Sequence, residues 1–467
     1  MIPFLPKQIA TKGIYLYLGA LAAVTIFFFR HAMSLTYIIM GIAWVVGFFL
    51  LSSYCSKRWG EVSQKQFLTN LFLSALGLRV FWVFFSYIFY TIKTGIPFEF
   101  AAGDSIWYYE ESTGNIYTKW KDIWNYLFVD TPTVSDSGYV FYLTLLAKIF
   151  GENIIFPRLV NSVLSAVTVP LLYLLAKRNI GEEGGRLAAI FACFMPNLIF
   201  YCGLHMKETV MIFLMVAYLE RSDYLIRSKH YNILNIALPV LLALILFTFR
   251  TILGAVAVFS FVTALIFTNT SVIGKKKRIM LISWGVLAAL TLTGGTIISE
   301  MDGLIENKDT NLANKRLMQT NKGNQWAKYA TGTVMAPMMF VLPFPTMVDV
   351  DEQYTQQMLS GGNYVRNFLG GFVLIALFSA LFITKNWRNL SLIGSFVIAY
   401  LGIISVSGFS NSERFLLPGL PVLLIMAAYG VTLLNAKNYK FIKIWYWVVP
   451  VMAFAWAFFK LGSRGLF

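Results

Sequence analysis

Apolar runs recur along the whole sequence, and polar connections, most of them short, separate them. A continuous apolar run of about 20 residues spans the hydrocarbon core of a bilayer as an α-helix. Lipid offers no partner for backbone N–H and C=O groups, so open sheets cannot cross it, and a β-barrel would require alternating apolar and polar residues. The sequence therefore predicts an all-α polytopic membrane protein.

About thirteen helices fit the length that a bilayer requires. The predicted spans cover residues 13–29, 34–53, 67–92, 156–176, 186–204, 209–226, 232–249, 251–269, 279–298, 363–384, 389–408, 415–434 and 442–460. Two further apolar stretches, 139–150 and 331–345, are too short or too rich in proline to cross, so we expect them to lie at the interface or to re-enter the membrane. This pattern divides the chain into an N-terminal helix pair (1–66), a central module (67–435) and a C-terminal helix (436–467).

The basic residues predict the orientation of the helices. The net charge is +16, but the Lys and Arg residues lie between apolar spans and form no basic domain, which argues against a nucleic-acid partner. One set of short loops holds most of them and is expected in the cytoplasm. The N-terminus is then inside, the C-terminus is outside, and most acidic residues fall on the outer face. The long connections 93–155 and 299–362 are outer, and long connections commonly carry function.

Asp104 is the first candidate for chemistry. It follows Gly103 and precedes Trp107, Tyr108 and Tyr109, about twelve residues beyond the third span, where aromatic residues match the interfacial belt. A carboxylate at this position can deprotonate an acceptor hydroxyl or amine. The alternative is a purely structural helix N-cap, a role that Asp fills well.

The outer turn between the fifth and sixth predicted spans holds a second candidate pair. Lys207 can hold a phosphate as a point charge, and Glu208 can serve as a second acid. Ionisable residues at membrane depth are functional candidates. The alternative is a solvated turn with an adjacent ion pair of little energetic value. His205 alone does not define a metal site, which would need more ligands.

Single arginines lie at or towards the outer ends of several spans. Arg158, Arg250 and Arg414 are placed where the phosphate of a lipid would lie, and a guanidinium binds phosphate oxygens with a planar fork. The alternative is snorkelling to lipid headgroups. Arg79 lies deeper in its span and needs a partner, for which an outer acid is the expected choice.

The late outer loop contains Leu342-Pro343-Phe344-Pro345-Thr346-Met347 and then Asp349-Val350-Asp351. An Asp-x-Asp pair can bind a divalent cation, although a single pair in a solvated loop does not require one. No cofactor is required by the sequence, and a divalent cation stays open as an alternative. Phe344 and its neighbours could instead line an apolar groove for an isoprenoid chain.

The order of these motifs resembles a known superfamily. The matching segments are Leu78–Phe81, Gly103-Asp104 with Tyr108, Ser137–Tyr142 through Arg158–Asn161, Met195-Pro196 before Lys207-Glu208, Pro343–Pro345 and Glu413–Pro421. Over roughly residues 70–435 the chain resembles the GT-C superfamily of polytopic glycosyltransferases, especially the branch of protein mannosyltransferases and aminoarabinose transferases. That resemblance implies a bacterial inner-membrane enzyme with outer-face interfacial helices.

The resemblance implies inverting transfer from a polyprenyl-phosphate-linked sugar to a glycan, lipid or protein acceptor on the outer face. Asp104 would act as the base, and Glu208 would occupy the position of a second acid. The implied donor-phosphate residues are Lys207, Arg250, Arg414 and Arg158. The implied substrate and lipid groove residues are Tyr108, Tyr139, Phe344 and Glu413.

Two departures from the family pattern leave the acceptor open. Ser105 follows Asp104, where many protein mannosyltransferases have Asp-Glu, and Asp136-Ser137-Gly138 replaces a Lys-Pro-Pro-like element. One alternative is a polymerase or ligase for lipid-linked oligosaccharides, for which the basic residues between 308 and 328 could bind a pyrophosphate. A flippase or transporter is the other, and the lack of a clear internal repeat argues against it.

Overall fold

The computed structural model describes residues 4–130, 134–228, 232–267, 344–350, 353–384, 386–406, 413–462 and 464–466. Within these ranges the chain is almost wholly helical, and its extended pairing is a single bridge between Ala32 and Val348. This confirms the all-α polytopic class. The predicted span 279–298 and most of the predicted segment 331–345 lie outside the described residues.

Seven helical segments within the described ranges are long and apolar enough to cross a membrane. They are Lys7–Phe27, Leu35–Arg58, Gln64–Thr94, Ile155–Phe194, Ser360–Ile383, Glu413–Thr432 and Asn438–Gly462. The helices that build them are α1 (Lys7–Phe27), α2 (Leu35–Arg58), α3 (Gln64–Thr94), α7 (Ile155–Phe194), α13 (Ser360–Phe378), α15 (Glu413–Leu416), α16 (Leu420–Thr432) and α17 (Ala436–Gly462).

Shorter helices complete the described fold. They are α4 (Gly103–Gly114), α5 (Trp120–Trp124), α6 (Ser137–Phe150), α8 (Pro196–Phe200), α9 (Glu208–Arg227), α10 (Ile233–Phe249), α11 (Thr251–Phe267), α12 (Tyr354–Met358) and α14 (Ser391–Val406). The predicted outer connection 93–155 is therefore largely helical, because it contains α4, α5 and α6.

Helix α7 contains two of the predicted spans. Its backbone reverses at Gly181, where φ is +86°, a conformation that side chains other than glycine rarely adopt. The two arms then lie so close that a Cβ on Gly185 would come within 2.8 Å of the backbone of Lys177. The second arm ends before Pro196, and α8 continues the predicted span 186–204 after that break.

Ion pairs mark the two ends of the bundle. Arg178 pairs with Asp223 at 2.7 Å and with Glu220 at 2.8 Å, at the end that carries the basic loops. At the opposite end, Arg414 pairs with Asp104. We refer to these as the Arg178 end and the Asp104 end, and the orientation predicted from basic residues makes the Asp104 end the outer one.

Helices α1 and α17 run parallel. Near their starts, Lys12 Nζ donates to Tyr439 Oη at 3.5 Å, and near their ends the rings of Phe28 and Phe454 lie 5.3 Å apart. Residue 7 and residue 462 therefore lie at opposite ends of the bundle. This relative arrangement agrees with the predicted topology, in which the first and last helices both run outward.

Arg79 is buried within α3 and caps a broken helix. Its guanidinium donates to the carbonyl oxygens of Ala192 and Cys193, each at 3.2 Å, and to Ser165 Oγ at 2.7 Å. Pro196 has no N–H and cannot donate a hydrogen bond to the carbonyl oxygen of Ala192 four residues earlier, so Arg79 supplies the missing donor. The expectation of an outer acid as its partner is wrong, because backbone carbonyls satisfy this charge.

The orientation can be tested with single cysteines. Tyr117 is 96% exposed on the Asp104 side, Glu183 is exposed at the Arg178 end, and the natural cysteines are buried. We expect Tyr117→Cys to react with an impermeant thiol reagent added outside intact cells. Glu183→Cys should react only after permeabilisation, and the reverse pattern would overturn the predicted topology.

Candidate active site

Arg414 joins two carboxylates that are far apart in the sequence. Its Nε donates to Glu208 Oε1, and its Nη1 donates to Asp104 Oδ2. The side chain of Glu208 is fully buried, that of Arg414 is 20% exposed, and that of Asp104 is 56% exposed. The cluster therefore opens to the surroundings through Asp104.

Asp104 lies in the first turn of α4 and is not its N-cap. The helix begins at Gly103, the N-cap is Ala102, and no side chain caps it. The structural alternative for Asp104, a capping side chain, therefore has no support in the geometry. Its charge still suits the first turn, where the helix dipole favours acids.

A buried polar layer fixes the backbone next to Arg414. Glu413 is 6% exposed, and its two oxygens accept hydrogen bonds from the side-chain amides of Asn197 and Asn363. Asn197 also donates to Asn363 Oδ1 at 3.0 Å. Glu413 was predicted to line a substrate groove, whereas these contacts place it behind Arg414. Buried polar groups that are hydrogen-bonded in this way fix a single geometry.

Two further cations lie beside Glu208. Lys207 is 3% exposed, forms an ion pair with Asp136 and donates to the carbonyl oxygen of Phe249 at 3.2 Å. Arg250 is 8% exposed and lies over the ring of Phe415, 4.5 Å from its centroid. Its Nη1 is buried and has no hydrogen-bond partner within the described ranges. A buried donor of this kind favours an anionic partner.

Tyr108 of α4 and Tyr139 of α6 form an aromatic wall between these two helices. Their ring centroids are 4.8 Å apart in an edge-to-face arrangement, and Tyr139 continues to Phe249 at 6.1 Å. Both tyrosines are buried, and burial raises the pKa of Tyr108 above its ordinary value, which keeps this phenol neutral. The wall brings both predicted groove tyrosines to the cluster that contains Asp104.

Arg158 lies behind the loop that precedes α4. Its Nη2 donates to the carbonyl oxygen of Pro97 at 2.6 Å, and its guanidinium lies 5.8 Å from the centroid of Phe98. In the same loop, Glu99 accepts a hydrogen bond from Ser105 Oγ at 2.5 Å, and burial raises the pKa of Glu99. Through these contacts, Arg158 stabilises the loop that precedes Asp104. The sequence predicts a different role for Arg158, the binding of donor phosphate.

Phe344 does not join the cluster through any contact in the described part of the chain. Its ring contact is with Trp456 of α17, at 5.7 Å. Asp349 accepts a hydrogen bond from Gln357 Nε2 at 2.9 Å, and Asp351 lies outside the described residues. Across the described ranges, no group of three or more His, Cys, Asp or Glu residues could hold a metal ion.

Sequence reasoning missed the supporting residues Asn197, Asn363, Glu99 and Asp136 as members of the site. The break at Met195-Pro196 is the one signal that pointed towards Asn197, because a broken helix at membrane depth exposes polar groups that need partners. Asp136 was noted only as a departure from the family pattern, yet it holds Lys207. The structure thus adds a supporting layer to the residues predicted for the site.

No family model matches the sequence, and a search of curated proteins finds no match. Among solved structures, the archaeal oligosaccharyltransferase AglB from Archaeoglobus fulgidus, solved with an inhibitory peptide and a dolichol-phosphate, is similar at TM-score 0.48 and 13% identity. That match covers 88% of this chain and 56% of the AglB chain. A second structure of the Archaeoglobus fulgidus oligosaccharyltransferase, with Zn and sulfate, gives TM-score 0.45 and 14% identity over 85% of this chain and 52% of that chain.

The chain therefore spans about half the length of the two archaeal structures. At this level of identity and overlap, no residue role transfers from either structure. The assignment of chemistry depends on the geometry of the cluster itself.

His205, three residues before Glu208, is 1% exposed, and its ring lies 6.4 Å from that of Phe98 and 5.9 Å from that of Tyr109. Burial lowers the pKa of His205 from its ordinary value near 6.5 to about 3, so the folded protein holds this ring neutral while the unfolded chain protonates it. Stability from this source is present above pH 6.5 and falls as the pH drops towards 3. From pH 7 to 5 we expect wild type to lose about 2 kcal/mol more unfolding free energy than His205→Leu.

Thermal unfolding of both proteins in detergent at the two pH values measures this difference. Parallel losses in wild type and His205→Leu would show that His205 is not held neutral by burial.

Proposed function

We propose that the chain is a membrane glycosyltransferase that moves a sugar from a polyprenyl-phosphate-linked donor to an acceptor on the outer face, with inversion. The observation that carries this proposal is the bridge that Arg414 forms between the exposed carboxylate of Asp104 and the buried carboxylate of Glu208. A water-facing base and buried cations meet there, which is the combination that this transfer requires.

Asp104 is the proposed base. More than half of its side chain is exposed, so an acceptor can reach it from water, whereas Glu208 is closed off. The acceptor O–H or N–H proton passes to the Asp104 carboxylate as the acceptor atom bonds to the anomeric carbon. The bond from that carbon to the phosphate oxygen breaks, and the electron pair leaves with the polyprenyl phosphate. Attack opposite the leaving group inverts the anomeric carbon.

The cations supply the proposed phosphate site. Arg250 offers a buried N–H without a partner in the described structure, and Arg414 and Lys207 also lie close to Glu208. Helices α9 and α11 begin at Glu208 and Thr251. The positive ends of their dipoles therefore lie beside Lys207 and Arg250, the residues that precede these helices. Positive charge fixed in place before the reaction stabilises the developing negative charge on the leaving phosphate.

Glu208 has a different proposed role from Asp104. Since its side chain is fully buried, it cannot receive a proton from an acceptor in water without a large rearrangement. It orients Arg414 through their ion pair and adds negative charge close to Lys207 and Arg250. The oligosaccharide ligase alternative relied on basic residues between 308 and 328, and these lie outside the described residues.

Asp104→Asn separates catalysis from folding and binding. The amide keeps the size of the side chain but cannot accept the acceptor proton. We expect transfer of labelled sugar from a polyprenyl-phosphate donor to fall by about 10²–10⁴-fold in reconstituted vesicles, while the variant folds and still binds the lipid donor.

The matched control is Glu110→Gln, because Glu110 is an exposed acid on the same helix α4 and is not among the ion pairs of Arg414. This variant should transfer sugar at the wild-type rate. A folded Asp104→Asn protein with near-normal turnover would remove Asp104 from the mechanism.

A further inference from the structure

The N–H groups of Arg414 are shared between two possible sets of partners. Nε donates to Glu208 and Nη1 donates to Asp104, and each fork of two nitrogens with which a guanidinium binds a phosphate includes one of these two nitrogens. If the donor phosphate binds Arg414 through such a fork, one of these ion pairs has to open, and this step rests on the proposed function.

The two ion pairs differ in how easily they open. Glu208 is fully buried, and separating it from Arg414 would leave an uncompensated charge in a closed site, which is costly. Asp104 is 56% exposed, so water can solvate its carboxylate after it leaves Arg414. A competing phosphate therefore displaces Asp104 and leaves Glu208 in place.

The neighbouring cations indicate how the phosphate arrives. Lys207 is already paired with Asp136, whereas Arg250 presents a buried Nη1 without a partner in the described structure. Arg250 therefore offers a phosphate a donor that no existing ion pair has to release. Phe415, whose ring packs against the Arg250 guanidinium, directly follows Arg414 in the sequence, and both arginines lie close to Glu208.

We propose that Arg414 exchanges Asp104 for the donor phosphate, so that binding of the donor releases the base. Without donor, Asp104 stays paired with Arg414 through Oδ2, and this oxygen is not available to an acceptor. With donor bound, Arg414 holds the phosphate, and Asp104 is free to accept the proton. The site then binds its substrates in a fixed order, donor first, and the base is protected from unproductive contacts until a sugar is present.

The exchange predicts an unusual effect of Asp104→Asn on binding. The carboxylate competes with phosphate for Arg414, and the amide competes less because it carries no charge. The variant should therefore bind decaprenyl phosphate about two- to fivefold more tightly than wild type, as expected for loss of an ion pair that is open to water. Binding is measured with purified protein in lipid nanodiscs, without acceptor. Glu110→Gln, the exposed acid on the same helix, should bind as wild type does.

A double-mutant cycle with Arg414→Gln tests whether the effect passes through Arg414. In that background, Asp104→Asn should leave the affinity for decaprenyl phosphate unchanged, because no shared cation remains. Equal affinities of wild type and Asp104→Asn, or weaker binding by the variant, would overturn the exchange. Failure of wild type to bind decaprenyl phosphate at all would instead overturn the proposed function on which the exchange depends.

Discussion

The ion pairs of Arg414 with Asp104 and Glu208 connect three parts of the chain that are separated by more than a hundred residues. Asp104 comes from the helix after the third span, Glu208 from the start of α9, and Arg414 from the short helix before α16. The buried carboxylate of Glu208 would be costly without a cation, and so would the Arg414 cation without a carboxylate. The relative placement of these helices at the Asp104 end is therefore coupled to one guanidinium.

The buried residues next to Arg414 hold its guanidinium in place. Glu413 holds the adjacent backbone through Asn197 and Asn363, and Asn197 is available because the helix breaks at Pro196. The break leaves carbonyl groups without N–H partners, and Arg79 satisfies them from α3. The buried charge of Arg79 and the polar layer of Glu413, Asn197 and Asn363 are thus both related to the helix break at Pro196.

Much of the fold could be predicted from the sequence, because apolar length and loop charge depend on local composition. The helices near 13–29, 34–53 and 67–92 are present, with bounds shifted by several residues because polar end residues continue the helix beyond the apolar core. Gly181 was not recognised as the reversal between two spans, since a turn this tight depends on a single backbone angle. The predicted span 279–298 was not tested, because it lies outside the described residues.

The candidate site could be predicted only as a set of residues on one side of the membrane. Asp104, Glu208 and Arg414 were each identified from residue type and depth, but their mutual pairing depends on packing between distant helices. Arg158 shows the limit most clearly, because its depth resembles that of Arg250 while its contacts are with the Asp104 loop. Depth predicts which charges need partners, and it does not predict which partners they find.

An experimental structure of the protein with decaprenyl phosphate bound in a lipid nanodisc would test the role of Arg414 most directly. We expect phosphate oxygens within hydrogen-bonding distance of Arg250 and Arg414, with Glu208 still paired to Arg414 and Asp104 released towards water. A phosphate bound elsewhere, with the pairs of Arg414 to both carboxylates intact, would contradict the central role of Arg414.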